Sequence, residues 1–163
     1  MVCGAYEITN RGAVDGKGGN ESMIFMASTG ISAEKTAGEI STTLSSSGLV
    51  KYIQFEYDES NVSGISFIIM NGDQRVPFKL PARVEPVLLA MKKDRKTPRH
   101  LCNIDQARRV AWRQLLRWVQ AQIALIEVGM VDIKEVFMPY IIGKSGKTMY
   151  EIAENNQFLI EYR

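Results

Sequence analysis

The sequence predicts an α+β fold: a three-stranded antiparallel meander with helices packed on one face and one long central helix. Three observations predict it. Apolar residues recur at helical spacing over 32–46. Three short apolar runs follow between residues 49 and 80, separated by turn signals. Residues 104–128 then run without a glycine or proline. The order helix, three strands, helices suits a meander that buries one face under helices.

The length, 163 residues, predicts one domain with a core large enough to stand without metal or disulfide support. Residues 1–30 hold six of the thirteen glycines and are set apart as a Gly-rich arm or hairpin, with Gly4–Thr9 and Ser22–Ala27 as its strands. Residues 31–163 form the α+β domain proper.

In the first helix, Ser32 is the N-cap and Glu34 faces the positive helix end. Ala33, Ala37, Ile40 and Leu44 share one face, and Gly48 is the stop. Strand residues 49–57 alternate, putting Ile53 and Phe55 opposite Val50, Tyr52 and Gln54. Residues 58–61 are a turn, and the nearly all-apolar run 65–70 is the most buried strand. Asn71-Gly72 marks a tight hairpin, because both residues tolerate positive φ. In 74–80, Val76, Phe78 and Leu80 alternate with Arg75, Pro77 and Lys79, and Pro77 makes this an edge strand. Pro86 suits the first turn of a helix over 84–93, and 92–103 is a polar connector. The longest helix covers Ile104–Val128 and stops at Gly129. Asp132/Glu135 and Thr148/Glu151 are capping-box pairs that open two short helices. Phe158–Tyr162 is read as a last strand.

Charge is the feature that bears on function. From Lys92 to Arg117 the bases are Lys92, Lys93, Arg95, Lys96, Arg99, Arg108, Arg109, Arg113 and Arg117, against Asp94 and Asp105. The window carries +7 in a chain of net +2, so the remainder carries −5. Such asymmetry predicts a segregated basic patch. Arg109, Arg113 and Arg117 are spaced i, i+4, i+8 and should line one helix face. Their planar guanidinium forks match phosphate oxygens. The expected partner is nucleic acid, DNA or RNA, bound with little sequence preference. A solvated face, or pairing of these arginines with acids of a neighbouring element, is the structural alternative. Val119–Val128 is apolar nearly all round, which predicts either a central core position or a homo-oligomer contact.

No catalytic residue, metal-ligand set or cofactor motif emerges, and the chain is expected not to be an enzyme. His100, the one histidine, stands in a polar connector without a carboxylate at useful spacing. Gly146-Lys147-Thr148 matches the end of a P-loop, but residue 141 is isoleucine where the pattern needs glycine. Residues 143–146 are better read as a turn. The N-terminus has no basic n-region followed by an apolar stretch, and no apolar run is long enough for a membrane span. A cytoplasmic chain with Cys3 and Cys102 as free thiols is expected.

The order of elements also occurs in double-stranded-RNA-binding domains, but their Gly- and Lys-rich helix start is absent here. A second likeness rests on particular residues: Glu34-Lys35-Thr36, Glu39-Ile40, Pro77–Pro81, Gln106–Arg113, Ile126–Gly129, Glu135–Phe137 and Gly146–Thr148. Across Ile31–Tyr150 the chain resembles a family of small phage, prophage and mobile-element proteins with no assigned activity. The resemblance implies an intracellular setting near replication or recombination. A protein-interaction module that binds a host protein, such as a defence-system component, is the alternative function.

Overall fold

The computed structural model describes residues 23–155. Five α-helices and one antiparallel sheet follow in the order α1 (Ala33–Ser46), β1 (Val50–Asp58), β2 (Asn61–Asn71), β3 (Gln74–Pro81), α2 (Val84–Lys93), α3 (Ile104–Glu127), α4 (Ile133–Phe137) and α5 (Met149–Asn155). The sheet is a meander, β1-β2-β3, and the α+β prediction holds.

The ends of the elements follow local chemistry. Ser32 accepts a hydrogen bond from the Lys35 backbone N–H at 3.2 Å, and Asn103 does the same for Gln106 at 2.9 Å. Asp132 and Glu135 form a reciprocal capping box. Gly48 and Gly129 follow α1 and α3 with φ of 71° and 73°, the left-handed conformation that closes a helix.

The core lies between the sheet and α1, α3 and α4. Ile53, Phe67 and Phe78 are cross-strand partners on the inner face, as are Phe55, Ile65 and Leu80. Phe67 stacks on Phe78, and Phe137 of α4 meets both edge-on. Each such ring, fully buried, contributes about 1.5–3 kcal/mol. Two register shifts modify the expected alternation. One, between Val50 and Tyr52, turns both Val50 and Ile53 inward although they are three residues apart; the other lets Val62 join the core beside Ile65. The carbonyl of Val62 accepts the indole N–H of fully buried Trp112 at 3.3 Å, tying α3 to the sheet.

Several expectations need correction. Residues 25–28 form a turn rather than part of a strand, with Met26 at φ 66°. Ala27 is fully buried against Met91, Ala107 and Val110, so this turn packs on α2 and α3. The side-chain amide of Gln106 donates to the carbonyls of Ala27 and Thr29, both at 2.8 Å, and holds this turn in place. β2 begins at Asn61, four residues before the expected start. In the β2–β3 hairpin Asn71 pairs with Gln74, so the central pair is Gly72-Asp73 and Gly72 alone takes a positive φ. Val119–Val128 is not enclosed all round as a central core helix would be: Val119 and Ile123 are buried, while Ala121, Ala124 and Val128 are exposed. Gly4–Thr9, Cys3 and Phe158–Tyr162 lie outside the described residues. Cys102 is a free thiol whose S–H points to the Met91 carbonyl at 3.3 Å.

The β1–β2 hairpin closes through Glu59-Ser60, and Glu59 holds φ at 53°. A side chain there crowds the following carbonyl at a cost of about 1–2 kcal/mol, partly offset by the flexibility glycine would add to the unfolded chain. Glu59→Gly is therefore expected to raise the urea midpoint, by up to about 1 kcal/mol of stability. An unchanged or lower midpoint would show that this turn carries no strain.

Candidate nucleic-acid interface

The basic window spans the end of α2, the connector and just over half of α3, and the structure divides it. Lys92, Lys93, Arg95, Lys96 and Arg99 are all exposed on a segment of eight residues. Asp94, the acid among them, is half-buried and turned to the backbone. Its carboxylate accepts from the Thr97 hydroxyl at 2.5 Å, from the Lys96 N–H at 3.0 Å and from the Ile24 N–H at 3.3 Å. These bonds, that from Thr97 foremost, hold the Asp94 carboxyl below the usual carboxylate range. Thr97 is buried, and residues 99–101 form a short 3₁₀ turn. The connector is thus an ordered loop with its cations outside and its acid inside. His100 is exposed on the same turn, and its carbonyl accepts from the Asn103 amide.

The arginines of α3 do not form the expected open line. α1 lies across its middle. Arg113 is only 7% exposed and donates to the Glu39 carboxylate of α1 at 2.5 Å. Its Nε is buried without a hydrogen-bond partner. Arg113 is a bridge between two helices and is withdrawn from any phosphate surface. Arg108 is partly buried and pairs with Asp105 at 2.9 Å. Arg109 is exposed, but it lines a small depression at the start of α1 together with Glu34 and Asp105. Arg117 is exposed further along, beside the Gln120 amide at 3.1 Å. The basic window therefore divides into one compact cationic segment, two exposed outlying arginines, Arg108 paired with Asp105, and one arginine that serves the fold.

The segment 143–148 is the turn the sequence suggested. The Gly143 N–H donates to the Lys147 carbonyl at 2.8 Å, and Thr148 and Glu151 cap α5 reciprocally. Thr148 is buried, so its hydroxyl serves the helix start. The Thr148 N–H and hydroxyl hold the Glu151 carboxyl low, with Lys79 and Arg83 adding to the effect. Among the described residues, no three His, Cys, Asp or Glu side chains gather as a metal site, and no helix is long and apolar enough to cross a membrane.

Sequence reasoning missed Asp94 as the organiser of the connector. The signal was present: an Asp in a polar connector readily accepts from the backbone N–H two residues on, here that of Lys96. No protein-family model, curated protein or solved structure matches the chain.

The division of the arginines has a direct test. Arg113→Ala removes one partner of a mostly buried ion pair and is expected to cost about 1–3 kcal/mol. Arg117→Glu alters a solvated position and is expected to stay within about 0.5 kcal/mol of wild type. Chemical denaturation of the two variants checks this; equal stabilities would place Arg113 in solvent.

Proposed function

We propose that this chain is a non-enzymatic nucleic-acid-binding accessory protein of a phage or related mobile element, acting inside the host cell. Phosphates are contacted chiefly by Lys92, Lys93, Arg95, Lys96 and Arg99, with Arg109 and Arg117 as outlying contacts. The observation that carries this reading is the arrangement of the connector: five exposed cations on the last turn of α2 and the ordered loop after it, whose one acid bonds inward. An ordered loop loses little conformational freedom on binding, so more of the electrostatic attraction appears as affinity. Contacts of this kind attach to the backbone and not to base edges, which makes binding weakly sequence-selective and steeply salt-dependent. The resemblance of residues 31–150 to mobile-element proteins supports the setting.

A second copy of the chain is the proposed protein partner. Val128 and Met130, 74% and 70% exposed just beyond α3, support a contact at that end of the molecule. Docking of the same basic surface onto an acidic host protein is the competing function.

The triple substitution Arg95→Glu, Lys96→Glu, Arg99→Glu moves the window from +7 to +1. All three side chains are exposed, so the melting temperature should move little. Affinity for a mixed-sequence oligonucleotide in a mobility-shift titration is expected to fall on the order of a hundredfold. Binding that survives in the folded variant would remove the connector from the interface.

A further inference from the structure

A groove of about 460 Å³ opens beside α2, at the opposite end of that helix from the cationic connector. Three aromatic side chains from three elements converge on it: Trp118 of α3, Tyr140 of the 3₁₀ turn 138–140, and Tyr150 of α5. The Trp118 and Tyr140 rings lie 5.5 Å apart, and Trp118 is propped edge-on by Phe137 at 5.4 Å. Arg83, immediately before α2, is exposed at the rim with its guanidinium 5.1 Å from the centre of the Tyr150 ring. The neighbouring Glu151 carboxylate is bonded to Thr148.

We infer that this groove takes an unpaired base of a single-stranded nucleic acid, stacked among Trp118, Tyr140 and Tyr150 with its phosphate toward Arg83. The inference rests on the proposed function and narrows it from nucleic acid in general to single strands. Aromatic rings supply faces on which any base stacks, and a cation at the rim suits the attached phosphate. The volume falls within the range of about 300–1,000 Å³ for small-molecule sites. Placement supplies the second argument. α2 begins at the groove with Arg83 and Val87 and ends at Lys92 and Lys93. Ten residues at a rise of about 1.5 Å separate the two by about 15 Å. That distance equals about four stacked nucleotides at about 3.4 Å each. One strand can then lay phosphates along the connector and a base in the groove. A duplex, with its bases paired inside, reaches only the connector.

The protein carries its own reporter. Of its two tryptophans, Trp112 is fully buried and bonded to Val62, so quenching by a stacked base reports on Trp118. The full chain is titrated with a mixed-sequence single strand and with the same sequence as a duplex, following tryptophan emission and fluorescence anisotropy of a labelled strand. Tyr150→Ala and Arg83→Gln, both at exposed positions, are compared with wild type and with the connector triple variant. The single strand should quench the emission and the duplex should not. Tyr150→Ala should lose about tenfold in affinity for the single strand, Arg83→Gln should lose several-fold, and neither should change duplex affinity. The connector variant should lose both ligands. Equal single-strand affinity for wild type and both groove variants, with the connector variant still defective, would overturn the groove while leaving the proposed function in place. Absence of wild-type binding to either ligand would overturn both.

Discussion

The structure depends on α3 being buried along three of its sides at once. Trp112, Leu116, Val119 and Ile123 face the sheet, Arg113 faces α1, and Ala107, Val110 and Ala111 sit on the flank where α2 packs. A helix enclosed in this way has little surface left to offer. Beyond its exposed first turn, the fully exposed side chains through Gln120 are Arg109, Arg117 and Gln120, while Gln114, Leu115 and Trp118 are partly exposed on another side. Two of its four arginines, Arg108 and Arg113, are taken up by ion pairs within the fold, so the exposed cations of the basic window are Arg109, Arg117 and those of the connector that leads into α3. Packing α2 against α3 also places the connector at one end of the helix pair and the aromatic groove at the other.

Polar side chains, buried Gln106 foremost, secure the parts that apolar packing leaves loose. Gln106 caps the turn at 25–28 with two hydrogen bonds, and Gln114 donates to the Phe25 carbonyl at 2.9 Å. Asp94 joins the connector to Ile24. These bonds reach over roughly 70 to 90 residues of sequence, and each satisfies a backbone group in a segment that has no regular structure to do so. On the far side of the sheet, burial pushes the Glu56 carboxyl up, but bonds from Lys79 and Ser66 more than offset this and hold it below the usual range. That face remains open, with Tyr52 under the Arg75 guanidinium at 5.7 Å.

How much of this was legible in the sequence follows from how local each feature is. The helix boundaries rest on residues within one turn, such as Ser32, Asp132 with Glu135, and Thr148 with Glu151, and they were read where the structure has them. The outer strands were read from period-two alternation and the middle one from its apolar run, and both signals are local as well. The inward turn of Val50 and Val62 was not, because a bulge depends on the partner strand. The run 22–27 has the apolar composition of a strand, yet Ala27 is needed as a small residue in the packing between α2 and α3, and a turn results. The basic window was plain in the composition. That Arg113 belongs to the core and not to the patch depends on Glu39, 74 residues away, and nothing in the spacing of α3 contains that information. The groove, assembled from four separate stretches of the chain (81–87, 111–118, 139–140 and 150), had no sequence signal at all.

The central claim is that the exposed cations of the connector bind phosphate. The most direct measurement is the salt dependence of affinity for a single-stranded oligonucleotide. Five phosphates neutralised by the connector predict a slope of log affinity against log salt near −3.5, at about −0.7 per contact. A slope in that range, moving toward zero as connector cations are removed, is what the structure predicts. Binding that is indifferent to salt, or absent at about 50 mM salt where non-specific complexes are strong, would contradict it.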